Sequence, residues 1–225
     1  MNGGDISSYL DDAQVSANVD SAETTTFGKT AKTYIPGLED ATLSLSGKYD
    51  GSAAAIDALI SALIRQPDQQ FLWLPGGDGF GNHAFAVQGA LTKYDVHAPV
   101  SDVVSVAMDA QADGGADTSL VLIPQTVENA VNNGAAIDNL AGTTNGLNGY
   151  LHCKAITGTP ACTVKIQHST DNITFTDLIT FASITTALTA QRLSVAGTVN
   201  RYLRGAVTAI GGASSVSIIV AAARQ

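Results

Sequence analysis

The sequence predicts a mainly β protein with one flanking α-helix and a small antiparallel β-sandwich toward its C-terminal end. Three observations carry this expectation. Apolar and polar residues alternate with a period of two in many short runs along the chain. Only residues 52–66 switch to the 3.6-residue period of a helix. The composition is rich in Ala, Gly, Thr, Ser and Val, 45% hydrophobic yet only 6% aromatic. That mixture suits strands with small side chains and many turns, and it argues against disorder. At 225 residues the chain has room for one large or two small domains.

The first strand is Ala13 to Asp20, with Val15, Ala17 and Val19 on one face and Gln14, Ser16, Asn18 and Asp20 on the other. A polar, weakly basic excursion follows from Thr24 to Pro36, carrying Phe27, Lys29, Lys32 and Tyr34. Ordering such a segment costs conformational entropy, so a long one either has a partner or stays mobile. Its two aromatics and two lysines suit a partner surface, the plainer alternative being a hairpin loop with incidental aromatics. Pro36-Gly37 punctuates a turn before the second strand. In that strand, Ala41, Leu43, Leu45 and Tyr49 oppose Thr42, Ser44, Ser46 and Lys48.

After Asp50-Gly51, residues Ile56, Leu59, Ile60, Leu63 and Ile64 form one helical stripe. Ser52 is the expected N-cap and Pro67 the stop. A helix of about 13 residues is too short to hold alone and must lie against a sheet. Strands resume at residues 70–74, 84–94, 100–110 and 119–123, with a Gly-rich turn at residues 75–82 between the first two. From residue 128 to 149 periodicity fades into Asn, Gly, Ala and Thr, which reads as a linker. The expected domains are therefore 1–126 and 150–225, joined by 127–149. Six short strands, at residues 150–156, 163–168, 175–181, 191–196, 202–208 and 215–221, make up the C-terminal sandwich.

Charge divides along the same line. Residues 1–126 hold 16 Asp/Glu against 5 Lys/Arg, whereas residues 127–225 hold 4 against 6. Two surfaces with different surroundings are implied, although solubility alone is the plainer account. An acidic module repels phosphates, so sequence-reading DNA binding is not expected, while DNA could slide past such a wall without sticking. No stretch approaches the roughly 18 apolar residues of a membrane span, and the start of the chain lacks the pattern of a Sec signal. A soluble protein made in the cytoplasm is the expectation.

Signals for chemistry are weak. The turn Pro75-Gly76-Gly77-Asp78-Gly79-Phe80-Gly81-Asn82 lacks the Lys-Ser/Thr pair of a phosphate loop and is followed by no helix. Cys153 and Cys162 flank an expected hairpin at Thr157-Gly158-Thr159-Pro160, which would turn both inward from facing strands. They read as buried thiols, with a cross-strand disulfide as the alternative. His83, His97, His152 and His168 are scattered, and no nucleophile elbow or carboxylate pair stands out. No catalytic residue, metal site or cofactor is expected. Tyr150, Phe175, Phe181 and Tyr202 could form a sugar-stacking patch, but each sits in a strand where aromatics normally fill the core.

Longer motifs point to a family. Asp5-Ile6-Ser7 near the start, the run from Ala22 through Thr24-Thr25-Thr26-Phe27-Gly28-Lys29 to Tyr34-Ile35-Pro36-Gly37-Leu38, and Leu43-Ser44-Leu45-Ser46-Gly47 leading into the helix resemble the major tail (tail tube) proteins of long-tailed, non-contractile bacteriophages. Residues 164–169 with Asp171-Asn172, and residues 195–204, are similar to a C-terminal module that some of these proteins carry. Cys153 and Cys162 depart from that module's pattern.

The resemblance implies a tail-tube-type β-sandwich or barrel with an outer decoration of immunoglobulin-like or galactose-binding-like form. It implies homohexameric rings stacked into a tube that conducts DNA during ejection, and an acidic lumen that lets genomic DNA pass without specific binding. Implied partners are the chain itself, the tape-measure protein, the tail terminator and the distal tail or initiator proteins. The implied location is the virion tail, after synthesis and assembly in the host cytoplasm. Phe27, Lys29, Lys32 and Tyr34 become the expected ring-to-ring contacts. Rival readings are a host-surface glycan-binding module, a capsid decoration protein and a tail terminator.

Overall fold

A computed structural model describes residues 1–52 and 55–225. The chain is 64% strand and 4% helical, the mainly β architecture expected. The strands are β1 (Leu10–Glu23), β2 (Tyr34–Lys48), β3 (Gln69–Trp73), β4 (His83–His97), β5 (Ser105–Glu128), β6 (Asn132–Asp138), β7 (Leu147–Ser169), β8 (Thr176–Thr180), β9 (Thr189–Val195) and β10 (Tyr202–Arg224), with helix α1 (Ile56–Ser61) between β2 and β3. The chain divides into two compact units: residues 6–69 with 87–116, and residues 1–5 and 70–86 with 117–225. Strands β4 and β5 carry the chain from one unit to the other, so neither unit is a single stretch of sequence.

In the unit of residues 6–69 and 87–116 the antiparallel order is β1, β2, β5, β4. The alternation expected of β2 is present: Ala41, Leu43 and Leu45 are buried, while Thr42, Ser44 and Ser46 are only half-buried. Their partners Ala110 and Met108 on β5 are buried too, so the register aligns two apolar rows on one face. Gly47 faces Leu10, and a Cβ there would stand 2.0 Å from the Tyr9 carbonyl oxygen. Only glycine fits that approach.

The helix is shorter than the expected 52–66. Its N-cap is Ala55, with no side-chain cap, rather than Ser52. Ser52 instead donates its backbone N–H to Asp50 Oδ1 at 2.8 Å, a local turn that precedes the helix. Ala53 and Ala54, part of the expected first turn, lie outside the described residues. After Ser61 the chain continues in turns, and Arg65 takes a left-handed φ of 67° before Pro67 is reached. Of the predicted stripe, Ile56 and Ile60 are fully buried, while Leu59, Leu63 and Ile64 are half-buried. Tyr94 on β4 donates to Asp57 on α1 at 2.7 Å, tying helix to sheet.

In the other unit, β7 and β10 run antiparallel from Tyr202 opposite Ser169 to Arg224 opposite Leu147. Toward one end β5 and β9 flank this pair; toward the other end β6 and β8 do. The inward side chains form one core, with Leu151, Cys153, Val164, Ile166, Phe181, Leu203, Val216 and Ile218 among its members. A separate layer comes from β3 and β4, whose Trp73 and Phe85 rings stack at 5.5 Å. Leu72 packs there against Tyr150, Ala221 and Ala223, on a second apolar side of the long strands.

Three expectations change in this unit. The expected strands 150–156 and 163–168 are one strand, β7, and 202–208 and 215–221 are one strand, β10. Gly158 and Gly211, both at positive φ, and several register shifts let the long strands deform while staying paired. The hairpin expected at residues 157–160 is therefore absent, and Cys153 and Cys162 lie on the same strand. The stretch 127–149, read as a linker, holds the end of β5, all of β6 and the start of β7. Its weak periodicity reflects an edge strand of Asn, Gly and Ala that, among the described residues, pairs with β10 alone. Likewise the expected strands 100–110 and 119–123 join in β5, which starts only at Ser105 and passes through Gly114 and Gly115 at positive φ.

Candidate assembly surface

The expected excursion at Thr24 to Pro36 is loop over residues 24–33 and strand from Tyr34 onward. β1 and β2 stay paired out to Glu23 opposite Tyr34, which leaves residues 24–33 as the connecting loop. Pro36-Gly37 is no turn: it lies within β2 beside a one-residue bulge, where Ser21 faces Pro36 but Val19 faces Glu39. Proline has no N–H to donate, and a bulge in a two-stranded ribbon tolerates it. Residues 17–40 are exposed without a break. They form an arm that buries none of its own apolar side chains.

The arm carries more apolar surface than its loop. Phe27 is entirely exposed at the tip, Leu38 is 82% exposed, and Val19, Tyr34 and Ile35 are each more than half exposed. Phe27 and Tyr34 are among the expected contact residues, Val19 is expected on a buried face and is exposed instead, and Ile35 and Leu38 add to the exposed apolar set. Alternation records that a face is apolar and not what covers it. Lys32 pairs with Glu23 at 2.9 Å, bracing the base of the loop and holding the Glu23 carboxyl below its ordinary range. Thr24 N–H donates to the Thr33 carbonyl and Thr33 N–H to Thr25 Oγ1, so the loop is hydrogen-bonded across its base. Lys29 stands exposed near Phe27.

The same unit has a second distinctive face. Opposite the core, Gln14, Ser44 and Asp109 form one cross-strand row and Ser16, Thr42 and Gln111 another. Gln111 donates to the Ala41 carbonyl at 3.1 Å and to the Asp40 carboxylate. Lys93 lies 3.3 Å from Asp95 and 3.8 Å from Asp109. Short hydroxyl, amide and carboxylate groups make this surface hydrophilic. The unit as a whole holds 13 Asp/Glu against 5 Lys/Arg, while the other holds 7 against 6, so the charge asymmetry follows the structural division closely.

Other singled-out residues are placed as follows. The Gly-rich turn is the β3–β4 connection, closed by Asn82 Nδ2 on the Gly76 carbonyl at 2.8 Å. Cys153 and Cys162 are buried and unlinked, and burial pushes both thiols up to about 11. His152 is buried and accepts the Gly3 N–H at Nδ1; His168 accepts the Asn200 N–H; His83 and His97 are exposed. Burial, and the amino terminus next to it, hold His152 far below its ordinary range. Among the described residues no three His, Cys, Asp or Glu side chains converge as metal ligands would, and no helix is long and apolar enough to cross a membrane. Tyr150 and Phe181 are interior. Phe175 has the Arg204 guanidinium 3.9 Å from its ring centre, and Tyr202 has Arg201 at 5.0 Å.

No protein-family model matches the sequence, and no curated protein matches it. Three similar solved structures are each 13% identical. A chain of the native gene transfer agent virion matches at a TM-score of 0.41, over 49% of this chain and 84% of its own. A chain from the tail of the empty gene transfer agent particle, which has C6 symmetry, matches at 0.41 over 49% and 81%. The SPP1 Dit protein, described as a paradigm of the hub adsorption apparatus in phages that infect Gram-positive hosts, matches at 0.35 over 99% and 96%.

Proposed function

We propose that this chain is a structural, non-catalytic subunit of a bacteriophage tail, and specifically the tail tube protein that stacks hexameric rings around the path of the DNA. The observation that carries the reading is the arm: a continuous exposed ribbon at residues 17–40 bearing Val19, Phe27, Tyr34, Ile35 and Leu38. A folded chain that leaves so much apolar side-chain area on one projection is built to bury it against another molecule. Repeated copies of one chain are the simplest partner, and an arm meeting a different surface on the next copy makes a head-to-tail contact that propagates. Phe27, Lys29, Lys32 and Tyr34 lie in or beside the loop at the arm's end and are the proposed ring-to-ring contacts.

Two further features support the tube. Strand β1 pairs on one side only among the described residues, leaving an edge that a neighbouring subunit can complete into a closed barrel. The face of Gln14, Ser44, Asp109, Ser16, Thr42 and Gln111 is the proposed lumen lining, since acidic and short polar groups repel phosphates and offer DNA no apolar hold. The unit containing residues 117–225 is then the outer decoration. Assembly would take place in the host cytoplasm with the tape-measure, terminator and initiator proteins, and the product would be the virion tail.

Electron microscopy of the purified protein at raised concentration tests the reading. Open tubes with a regular axial repeat and sixfold end views are expected, whereas closed rings would move the assignment to a terminator or decoration protein. A glycan-binding role would have to use residues other than Tyr150 and Phe181, which are interior, and Phe175 and Tyr202, whose rings carry an arginine.

A further inference from the structure

The unit of residues 1–5, 70–86 and 117–225 carries a groove of about 210 Å³ that its own side chains leave unfilled. Phe80 forms one wall and is 40% exposed, Pro124 is half-buried, and the buried Leu122, Ile123 and Val207 lie beneath as an apolar floor. Glu128 stands at the rim and already accepts hydrogen bonds from Thr126 Oγ1 at 2.9 Å and Asn132 Nδ2 at 3.3 Å. The groove's polar groups are thus turned toward one another, which disfavours a sugar and favours an apolar side chain. Its volume accommodates one aromatic ring.

We infer that the arm tip of a second copy fills this groove, with Phe27 lying against Phe80. This rests on the tail-tube reading and names the receptor for the proposed ring-to-ring contact. Phe27 is the fully exposed aromatic of the arm, and an offset or edge-on pair with Phe80 would bury both rings. Charge agrees: Lys29 stands exposed on the arm's loop, while Glu128 lines the receptor. Asp78 Oδ2 accepts the Gln125 N–H at 3.1 Å, which holds that carboxylate beside β5 and near Phe80 in sequence. Lys29 meeting Glu128 orients the tip, and the aromatic pair supplies most of the hold.

The test uses two full-length variants mixed in solution, Thr26→Cys and Thr126→Cys, under mild oxidation. The native Cys153 and Cys162 are buried and contribute no background in folded protein. A disulfide-linked heterodimer joining positions 26 and 126 is expected, and its yield should fall about tenfold when Phe27→Ala is added to the first variant. Ile173→Cys, at an 83% exposed position elsewhere on the same unit, should not cross-link in place of Thr126→Cys. Lys29→Glu and Glu128→Lys should each weaken association, and the two together should restore it. A missing cross-link, or one indifferent to Phe27→Ala, overturns the inference. Tubes seen for the unmodified protein without this cross-link would leave the tail reading intact and discard only the groove. A cross-link that yields closed particles would keep the groove and discard the tube.

Discussion

Tyr150 on β7 donates its phenolic proton to the carboxylate of Asp117 on β5. Asp117 also accepts from Asn148 Nδ2 at 2.7 Å and from Gln225 Nε2 at 3.0 Å, with the Arg192 guanidinium 3.8 Å away. Burial, together with this hydrogen bond and the neighbouring negative charge, pushes the Tyr150 phenol above its ordinary range. The cluster joins β5, β7 and β9, of which β9 pairs with β7 while β5 and β7 each pair with β10.

Removing the shared acceptor should therefore cost more than removing one donor. Tyr150→Phe is expected to lower stability by about 1 kcal/mol, whereas Asp117→Ala strands several donors and should cost about 2–3 kcal/mol. Chemical denaturation of both variants checks this. Equal losses would mean that the cluster does not act as a unit.

Deleting residues 24–32 removes the arm's tip and no buried side chain. The expected result is a protein with unchanged circular dichroism and melting temperature that no longer polymerises. Tubes of normal appearance from the deletion variant would refute the arm as the assembly device.

Ile60 on α1 is fully buried, whereas Leu63 is only half-buried. Ile60→Ala should cost about 2–5 kcal/mol by cavity formation, and Leu63→Ala distinctly less. Thermal melts of the two variants measure the difference, which gauges how far the helix is seated in the core beyond its first turn.

Arg201 binds Asp138 with two donors, Nε and a terminal nitrogen, each at 2.6 Å. The guanidinium hydrogen bonds, mainly, hold the Asp138 carboxyl down to about 2. An unfolded aspartate titrates near 3.9, so this pair favours the folded state fully above about pH 4, and the contribution fades as pH falls through about 2. Arg201→Ala should raise the Asp138 midpoint toward 3.9, which carboxyl-detected NMR can follow. Its melting temperature should differ from the wild type at pH 6 and converge with it near pH 2.

Cys153 and Cys162 should resist thiol reagents in the native protein at pH 8, because burial raises both thiols to about 11 and shields them from solvent. Both should react readily in denaturant. Rapid native labelling of either would place it nearer the surface than found.

Period-two alternation establishes the strands, the mainly β class and the apolar face of β2, and the change to a 3.6-residue period establishes the helical stripe around Ile56 and Ile60. These are local properties: side-chain direction follows from backbone geometry, and a strand's pattern is written in consecutive residues. The arm residues Phe27, Lys29, Lys32 and Tyr34 were also visible as an out-of-place cluster of aromatic and basic side chains. Tertiary structure decided what each apolar face meets. Val19 and Leu45 are equivalent in pattern, yet Leu45 is covered and Val19 is 55% exposed, because the sheet ends partway along β1 and β2 while their pairing continues. It also decided where strands end. Gly158 and Gly211 read as turns, but long-range hydrogen bonds between β7 and β10 kept the chain extended through both, placing Cys153 and Cys162 on one strand. Turn propensity is a weak local preference, and a row of backbone hydrogen bonds formed across many residues outweighs it.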